Sequence, residues 1–471
     1  MHEGVKMEQT KDYIAGLIER ARKAQAVATK FTQGEARRVA ACIGWLAIQR
    51  AEAWGQASYD EIQMGDVASK VARTKARARG LMRDLNEAKT VGIVEVDEAK
   101  QLMKIAKPVG VIGAVVPTTV PEGVVFIKAM NGIIGRNALV FAPHPRADKI
   151  TNLVADDIRK LLKKMGLPED LVICIERPSL DKTTELMRQC DLIIATGGAG
   201  LVKAAYSSGT PAYGVGAGNV VTVIDETADV KDVAHKLMES QINDQASGCS
   251  TENAAVIQKG VYDAAVKAMV AEDAYLCNAE EKAKLQATLW KDGHLNGEVI
   301  VKPAAYIAQK AGIKMPADRT WILVEETGYG PNFPFSGEKL SVVVALYKYD
   351  QFDEAIALVN GIQAYSGAGH SCGIHSFNEE HILKFALETK TSRVAVRMPQ
   401  NKSNAGNWNN GMPFTITLGC GTWGKNISSE NITWKHYINT TWVAREIPEF
   451  RVPTDEELFG DVMKATSLFE G

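Results

Sequence analysis

Cys249 is the cysteine whose surroundings best suit a reactive thiol. It lies in the polar, glycine-containing stretch 244–251, directly ahead of an apolar run. A nucleophilic thiol needs partial exposure and local dipoles that favour the thiolate, and a loop of this composition can provide both. We therefore take Cys249 as the candidate nucleophile.

The other cysteines fit a nucleophile less well. Four of them lie within or beside predicted helices and strands, where packing is the simpler interpretation: Cys42, Cys174, Cys190 and Cys277. Cys372, which follows His370 closely, and Cys420, which lies between two glycines, remain competitors.

His370 and Glu338 are the titratable side chains that could assist such a thiol. His370 ends the glycine-rich loop 366–370, where a histidine can carry protons, although a structural histidine is the alternative. Glu338 precedes an apolar run, and by itself it is typical of a surface or capping glutamate.

Two glycine-rich segments could let a ligand approach the backbone. In the first, an apolar run leads into Gly197, Gly198 and Gly200, and a helical pattern containing Lys203 follows. Free N–H groups at a helix start attract phosphate, but the spacing is GGxG and not the GxGxxG dinucleotide fingerprint. The second segment, 213–219, places alternating glycines before a strand, and a tight packing corner is the alternative in both cases.

The elements that must position these residues predict an α/β fold. Continuous apolar, β-branched runs alternate with helical patterns, which is typical of parallel strands buried on both faces. In the first half these runs are 109–116, 138–142, 171–175, 192–195 and 220–224, and a second α/β pattern begins near residue 250 with a strand-like run at 340–346. We expect ligands outside the carboxyl ends of the strands. The first hundred residues indicate helices, and the basic run 74–83 is interpreted as a solvated helix face.

Composition excludes several functional classes. The 471 residues carry 54 Lys+Arg against 56 Asp+Glu, so no basic surplus points to nucleic acid or to a membrane surface. The apolar runs are too short to span a bilayer, and the first 25 residues lack the apolar core of a signal peptide. Seven scattered cysteines without CxxC spacing argue against a disulfide framework or a zinc site, so no metal is expected and a cytoplasmic protein is predicted.

Taken together and in order, these segments resemble the CoA-acylating branch of the aldehyde dehydrogenase superfamily. The resemblance covers about residues 105–445 and includes CoA-dependent sulfoacetaldehyde, acetaldehyde and succinate semialdehyde dehydrogenases. It rests on the segments Pro117-Thr-Thr, Ala142-Pro-His-Pro-Arg146, 195–209, 214–219, 338–341, Gly369-His370 and 418–424.

The resemblance implies a domain plan. Residues 1–225 would form a dinucleotide-binding domain with an oligomerisation segment at about 94–108, and residues 226–425 a catalytic domain that carries the cysteine. Residues 426–471 would return to the cofactor domain, with a β-prone tail at 434–445. A homodimer or homotetramer is expected, as is the aldehyde dehydrogenase-like α/β fold.

The resemblance also implies roles for individual residues. Cys249 would be the nucleophile, His370 would assist CoA, and Glu338 would hold the nicotinamide ribose of NAD or NADP. The other residues expected to contact the cofactor are Pro117, Thr118, Thr119, His144, Pro145, Arg146, Thr196, Gly197, Gly198, Gly200, Lys203, Gly216, Gly218 and Leu340. Arg146, near the adenosine ribose, makes NADP conceivable. Val120, Arg397 and Asn404 are expected to contact the aldehyde, with Arg397 suited to an anionic one.

One departure from the hydrolytic pattern suggests the reaction type, and a second departure from the family pattern, at Val120, concerns the oxyanion and suggests an unusual substrate pocket. Hydrolytic relatives have a Glu-Leu-Gly-Gly segment whose glutamate activates water, whereas the matching stretch 214–218 has no carboxylate. A CoA thiolate would then take the acyl group. Val120 stands where the family usually has an asparagine that stabilises the oxyanion, so Thr118, Thr119, a shifted asparagine or the substrate would have to compensate.

The expected function is therefore oxidation of a short, anionic aldehyde, with sulfoacetaldehyde favoured, to its acyl-CoA. Two alternatives stay open. One is a hydrolytic aldehyde dehydrogenase that releases the free acid. The other is a non-catalytic superfamily member that serves as an assembly subunit.

Overall fold

A computed structural model describes residues 2–465 of the chain. Its helices are α1 (His2–Ala28), α2 (Gln33–Ile62), α3 (Val67–Asn86), α4 (Pro121–Ile134), α5 (Asp148–Lys164), α6 (Leu180–Gln189), α7 (Ala199–Tyr206), α8 (Val230–Ile242), α9 (Tyr262–Ala271), α10 (Ala279–Leu289), α11 (Ala304–Ala311), α12 (Phe352–Tyr365), α13 (Glu379–Glu388), α14 (Asp455–Phe459) and α15 (Asp461–Lys464).

Strands alternate with most of these helices. They are β1 (Gly92–Asp97), β2 (Leu102–Pro108), β3 (Val111–Val116), β4 (Ala138–Pro143), β5 (Val172–Cys174), β6 (Leu192–Thr196), β7 (Ala212–Val215), β8 (Val220–Ile224), β9 (Glu252–Gln258), β10 (Ala274–Leu276), β11 (Trp290–Lys291), β12 (His294–Leu295), β13 (Trp321–Glu325), β14 (Val343–Tyr349), β15 (Cys372–His375), β16 (Val394–Val396) and β17 (Ile438–Ala444).

The first large sheet is parallel and has the order β5-β4-β3-β6-β7. Every residue of β3 and β4 is buried, because helices cover both faces of the sheet. Helix α5 shows how this cover is built: Ile150, Val154, Ile158 and Leu162 recur every four residues and are buried against the core. Gly166, at φ +73°, then ends that helix in the left-handed conformation that glycine tolerates.

The second large sheet is also parallel and has the order β10-β13-β14-β9-β8-β15-β16. The strand at 220–224 was predicted to belong to the first sheet, and this was wrong. It is β8, which pairs with β9 and β15 in the centre of the second sheet. An apolar run shows that a strand is buried but not which neighbours it pairs with.

The segments expected to support oligomerisation lie together in a third sheet. Its order is β1-β2-β17, and both pairings are antiparallel. The predicted strand at 434–445 starts at Ile438, because residues 434–437 form a 3₁₀ turn. Ile93, Val96 and Trp442 of this sheet are exposed.

Two parallel sheets with helical layers confirm the predicted α/β class, while the domain boundaries stay a prediction. The strand expected at 340–346 begins only at Val343, because Leu340 has φ +44°, outside the β region. Within residues 2–465, no helix is both long and apolar enough to cross a membrane.

A buried ion-pair network ties α3 to the segment that leads into the second sheet. Lys70 Nζ lies 3.1 Å from Asp244 Oδ2, and both side chains are sealed from solvent. The backbone N–H of Asp66 also donates to Asp244 (2.9 Å), so this carboxylate joins the start of α3 to the end of the α8 region. Arg73 also pairs with Asp244 and with Glu122, so loss of Lys70 would leave one cation for two buried carboxylates, and such an uncompensated buried charge is costly.

We expect Lys70→Ala to lower the free energy of unfolding by about 3–5 kcal/mol, as for other broken buried pairs. Lys75→Ala is the matched control, because Lys75 lies on the same helix but pairs with Glu52 at the surface. The control should cost less than about 1 kcal/mol. Urea denaturation of both variants measures the difference, and equal losses would contradict a stabilising role for the buried pair.

Candidate active site

A cavity of about 270 Å³ lies between the two large sheets and contains Cys249 in its wall. The first sheet contributes lining residues from the loops that follow β3, β6 and β7, at the carboxyl ends of those strands. The second sheet contributes lining residues from the loops that precede β9 and β14, at the amino ends of those strands. The residues from the first sheet thus follow their strands, as expected, and those from the second sheet precede theirs, as predicted for Cys249 and Glu338.

Cys249 and His370 are in contact at this site. His370 Nε2 lies 3.2 Å from Cys249 Sγ, and His370 Nδ1 lies 2.8 Å from the hydroxyl oxygen of Ser371. Arg393 Nη1 donates to the His370 carbonyl (2.7 Å), which fixes the loop from behind. The two residues precede β9 and β15, which are both neighbours of β8, so the sheet topology brings them together.

The turn before His370 requires glycine. Gly369 has φ +78°, and a Cβ at this position would lie 1.9 Å from the Cys420 carbonyl oxygen. The two cysteines predicted as competitors of Cys249 lie in packing positions. Cys420 and Cys372 are both buried, and neither lines the cavity.

Both members of the contact are held neutral by burial. Withdrawal from water, with a smaller effect of Glu338, raises the pKa of the Cys249 thiol to about 12. Burial and the nearby Arg393 lower the pKa of His370 to about 3. At neutral pH the resting state is therefore a thiol beside a neutral imidazole, which can receive the thiol proton as sulfur forms a new bond.

Glu338 links the glycine-rich segment to the cysteine loop. Its Oε1 accepts a hydrogen bond from the Gly218 N–H (3.2 Å), and a Cβ on Gly218 would lie 1.9 Å from the Cys249 carbonyl oxygen. Burial raises the pKa of Glu338 to about 8. Over the part of the chain that the structure describes, Glu338 is the one acidic side chain lining this cavity.

The structure brings most of the sequence-predicted site residues together. The predicted site residues found in the cavity lining are Pro117, Thr118, Thr119, Val120, Thr196, Gly197, Gly198, Gly216, Cys249, Glu338 and Leu340. The Thr196 hydroxyl is buried and has no hydrogen-bond partner. Val120 is the N-cap residue of α4 and makes no side-chain capping bond, so its side chain gives the cavity no donor.

Six predicted cofactor residues do not line this cavity, and one of them, Gly218, adjoins it through its hydrogen bond to Glu338. Gly200 and Lys203 are on α7, beyond the turn that lines it, and His144, Pro145 and Arg146 follow β4. The His144 N–H donates to the Val116 carbonyl (3.0 Å), so this loop adjoins the end of β3 at the same sheet edge. Arg146 lines a separate surface cavity together with Lys302.

The expectation that Arg397 contacts the aldehyde is wrong. Arg397 follows β16, at the carboxyl edge of the second sheet, whereas Cys249 precedes β9 at the amino edge. Its Nη1 donates to the Ser376 carbonyl (2.6 Å), and its guanidinium stacks 4.6 Å from the Phe377 ring centre.

Asn404 also fails to reach the cavity. Its amide donates to the Gln400 carbonyl and side-chain oxygens, at 3.2 and 3.0 Å. The surrounding loop does reach the cavity, but through Asn401 and Ala405.

Arg73 and Arg77 line the cavity, and sequence reasoning missed them. The run 74–83 was interpreted as a solvated helix face, which is wrong for Arg77. The spacing of Lys70, Arg73 and Arg77 at i, i+3 and i+7 was a usable signal, because it places three cations on one helix face. The buried Ala78 and Leu81 belong to the same helix, which packs against the core.

Comparisons with known proteins agree with this arrangement. The model of the aldehyde dehydrogenase family matches residues 6–284. The chain is 42% identical to a sulfoacetaldehyde dehydrogenase of an Acholeplasma species, over 96% of this chain and 94% of that protein. It is 39% identical to a sulfoacetaldehyde dehydrogenase (acylating) of Bilophila wadsworthia, over 95% and 98%.

A solved structure is similar throughout. The acetylating aldehyde dehydrogenase of Geobacillus thermoglucosidasius superposes with a TM-score of 0.91 at 34% identity, covering 95% of this chain and 99% of that one. The resemblance to the acylating branch, expected from the motifs, is confirmed by these relatives.

The raised pKa of Cys249 predicts how its alkylation depends on pH. Burial disfavours the charged thiolate, so the thiolate fraction should rise about tenfold per pH unit well below the pKa. Iodoacetamide labelling of the ligand-free protein should therefore keep accelerating from pH 7 to pH 9. Peptide mass spectrometry separates Cys249 from the other cysteines, and Cys249→Ala gives the background. A rate that levels off below pH 8 would contradict the proposed resting state.

Proposed function

The chain belongs to the aldehyde dehydrogenase family, and from that premise we propose that it oxidises a short, anionic aldehyde to the acyl-CoA. Sulfoacetaldehyde is the favoured substrate, NAD(P)⁺ the oxidant and CoA the acyl acceptor, and the reaction is reversible. The observation that carries the proposal is the 3.2 Å contact between His370 Nε2 and Cys249 Sγ, at the wall of a cavity in which Glu338 is the one acidic lining side chain among residues 2–465. The similarity of this chain to two sulfoacetaldehyde dehydrogenases supports the choice of this aldehyde.

The residues around the carboxyl ends of β6 and β7 fit a nicotinamide dinucleotide. The buried Thr196 hydroxyl lacks a partner, and Gly198, Gly200 and Gly216 have open space where a side chain would be. Backbone N–H groups at Gly197 and Gly198 suit the pyrophosphate, and Glu338 suits the nicotinamide ribose. When bound, the dinucleotide supplies the hydride acceptor.

Cys249 forms the covalent intermediate in this proposal. Its sulfur bonds to the aldehyde carbon while the thiol proton passes to His370 Nε2, so no free thiolate has to persist in a buried site. The backbone N–H of Cys249 stabilises the oxygen of the resulting thiohemiacetal. Loss of hydride from that carbon leaves a thioester on Cys249.

CoA then releases the acyl group. His370 first releases the proton from the first half to solvent. The CoA sulfur then bonds to the thioester carbon while its thiol proton passes to His370. As the Cys249–carbon bond breaks, His370 returns that proton to the Cys249 sulfur. His370 suits this task because burial keeps it neutral, with a lowered pKa. The same imidazole thus receives a proton in both halves of the reaction.

Hydrolysis of the thioester, the alternative reaction, is disfavoured because no carboxylate in the described part of the cavity wall is free to activate water. Glu338 is engaged with the Gly218 N–H, and segment 214–218 has no carboxylate. Water therefore has no carboxylate base beside the thioester, and at His370 it competes with a thiol, which is intrinsically the better nucleophile.

Self-association is part of the proposal. The exposed Ile93, Val96 and Trp442 lie on the β1-β2-β17 sheet, where β17 is an edge strand. An exposed apolar edge strand is a natural site for pairing with a second copy. We assign this sheet to a homodimer or homotetramer contact.

Product analysis tests the reaction type. Purified protein is incubated with sulfoacetaldehyde or acetaldehyde, with NAD⁺ or NADP⁺, and with or without CoA. Acyl-CoA should appear in step with the reduced nicotinamide, and only when CoA is present. Free acid as the main product at saturating CoA would overturn the proposal in favour of the hydrolytic alternative. No reduced nicotinamide from any aldehyde would favour the non-catalytic alternative.

His370→Asn tests the proton transfer. Loss of a general base typically costs about 10²–10⁴-fold, so kcat should fall by that range while cofactor binding, followed by fluorescence, is retained. His375→Asn is the matched control, since His375 is a buried histidine at the end of β15, the strand that follows His370, and makes no hydrogen bond to Cys249. Similar losses of kcat in both variants would contradict a specific role for His370.

A further inference from the structure

Beyond the reaction type, we infer that Arg77 forms the subsite that binds the anionic group of the aldehyde, a sulfonate or a carboxylate. This inference rests on the proposed function and names the residue that selects its substrate class. Arg77 lines the same cavity as Cys249, so a short aldehyde could contact both at once.

Helix α3 brings three cations to one face. Lys70, Arg73 and Arg77 are spaced i, i+3 and i+7, which places them along one side of a helix. Lys70 is fully buried, while Arg73 and Arg77 line the cavity. The question is which of these charges is free to bind a ligand.

The charges of Lys70 and Arg73 are balanced by the protein itself. Arg73 Nη1 lies 2.6 Å from Asp244 Oδ2, and its Nη2 lies 3.1 Å from Glu122 Oε1. Lys70 shares Asp244 at 3.1 Å. Two cations therefore face two carboxylates, and both terminal nitrogens of Arg73 are engaged with carboxylates. These four side chains hold α3, α4 and the cysteine loop together, and their charges balance, so neither cation is available to a ligand.

Arg77 has no such compensation. Its Nη1 donates to the carbonyl oxygens of Ala405 (3.2 Å) and Thr415, which anchor the guanidinium but leave its charge in place. Within the described residues 2–465, no carboxylate lies within salt-bridge distance of Arg77, and its Nε and Nη2 make no hydrogen bond. Two donors of a planar fork are thus left for a ligand with paired oxygens.

The surroundings strengthen this charge. Although burial lowers the pKa of Arg77 to about 10, the group stays protonated at neutral pH. Val124, Ala405, Ile416 and Leu418 give the cavity apolar walls, and an ion attracts its counter-ion more strongly where water is displaced. The acidic side chain in the same wall, Glu338, is bonded to Gly218 N–H and has a raised pKa.

Arg77 also lies close enough to Cys249 to favour its thiolate. Replacing Arg77 would therefore slow reactions at the thiol with any substrate, and a simple loss of activity would not identify a subsite. The tests must compare an anionic with a neutral reagent in the same variant, because the effect on the thiol cancels in that ratio.

The first test is the ratio of kcat/KM for anionic and neutral aldehydes. In Arg77→Ala, kcat/KM for sulfoacetaldehyde and succinate semialdehyde should fall about 10–100-fold more than for acetaldehyde and propionaldehyde, mainly through KM, as expected for loss of a charge-assisted hydrogen bond. Arg77→Lys should recover part of the loss. Arg79→Ala is the control, an exposed arginine on the same helix. The two anions separate sulfonate from carboxylate selectivity.

Equal losses for charged and neutral aldehydes would overturn the inference, as would a rise of the KM for CoA in place of that for the aldehyde. In the latter case Arg77 would bind a CoA phosphate.

The second test does not depend on turnover. The alkylating anion 2-bromoethanesulfonate bonds to Cys249 sulfur with loss of bromide, and iodoacetamide is the neutral reference. The ratio of the two labelling rates should fall at least about tenfold in Arg77→Ala and stay unchanged in Arg79→Ala. The iodoacetamide rate also reports whether each variant has an intact site.

The two tests separate the inference from the proposed function. If no aldehyde is oxidised but the labelling ratio still depends on Arg77, the subsite stands and the reaction is wrong. If sulfoacetaldehyde is converted to its acyl-CoA but neither ratio changes in Arg77→Ala, the reaction stands and the subsite is wrong.

Discussion

The contact between a neutral thiol and a neutral imidazole is the constraint on which this site depends. Cys249 and His370 precede strands on either side of β8, so the pairing order of one sheet sets their 3.2 Å separation. Desolvation of both groups raises the pKa of the thiol and lowers that of the histidine. A reaction there must move the proton as the sulfur forms its bond, because a buried thiolate is costly.

Charge pairing around α3 is the second feature that shapes the site. Asp244 and Glu122 are satisfied by Lys70 and Arg73, and this buried network joins the helix to both halves of the molecule. Arg77 lies one turn further along, where its hydrogen-bond partners among residues 2–465 are carbonyl oxygens. Of the three cations on one helix face, Lys70 and Arg73 thus stabilise the fold, and the charge of Arg77 is left for a ligand. The same cation also acts on the thiol, so substrate selection and reactivity are coupled through it.

Much of the fold was predictable from the sequence, because buried parallel strands leave continuous apolar runs: β3 and β4 fall within a residue or two of their predicted bounds. Glycine-rich loops likewise pointed to Cys249, His370 and the turn at Gly197. Strand pairing is non-local, so the sequence misassigned β8 to the first sheet. The same limitation misplaced Arg397, since the edge at which a loop lies depends on the direction of its strand. Arg77 was missed because a basic helix face is ordinarily solvated, and only packing shows that this one is covered.

The most direct test of the central claim is the site of the covalent adduct. The protein is mixed with NAD⁺ and sulfoacetaldehyde in the absence of CoA, quenched with acid and digested, and the acylated peptide is identified by mass spectrometry. The account predicts an acyl group on Cys249 that persists without CoA and appears as acyl-CoA once CoA is added. An adduct on another residue, or steady release of free acid without CoA, would contradict it.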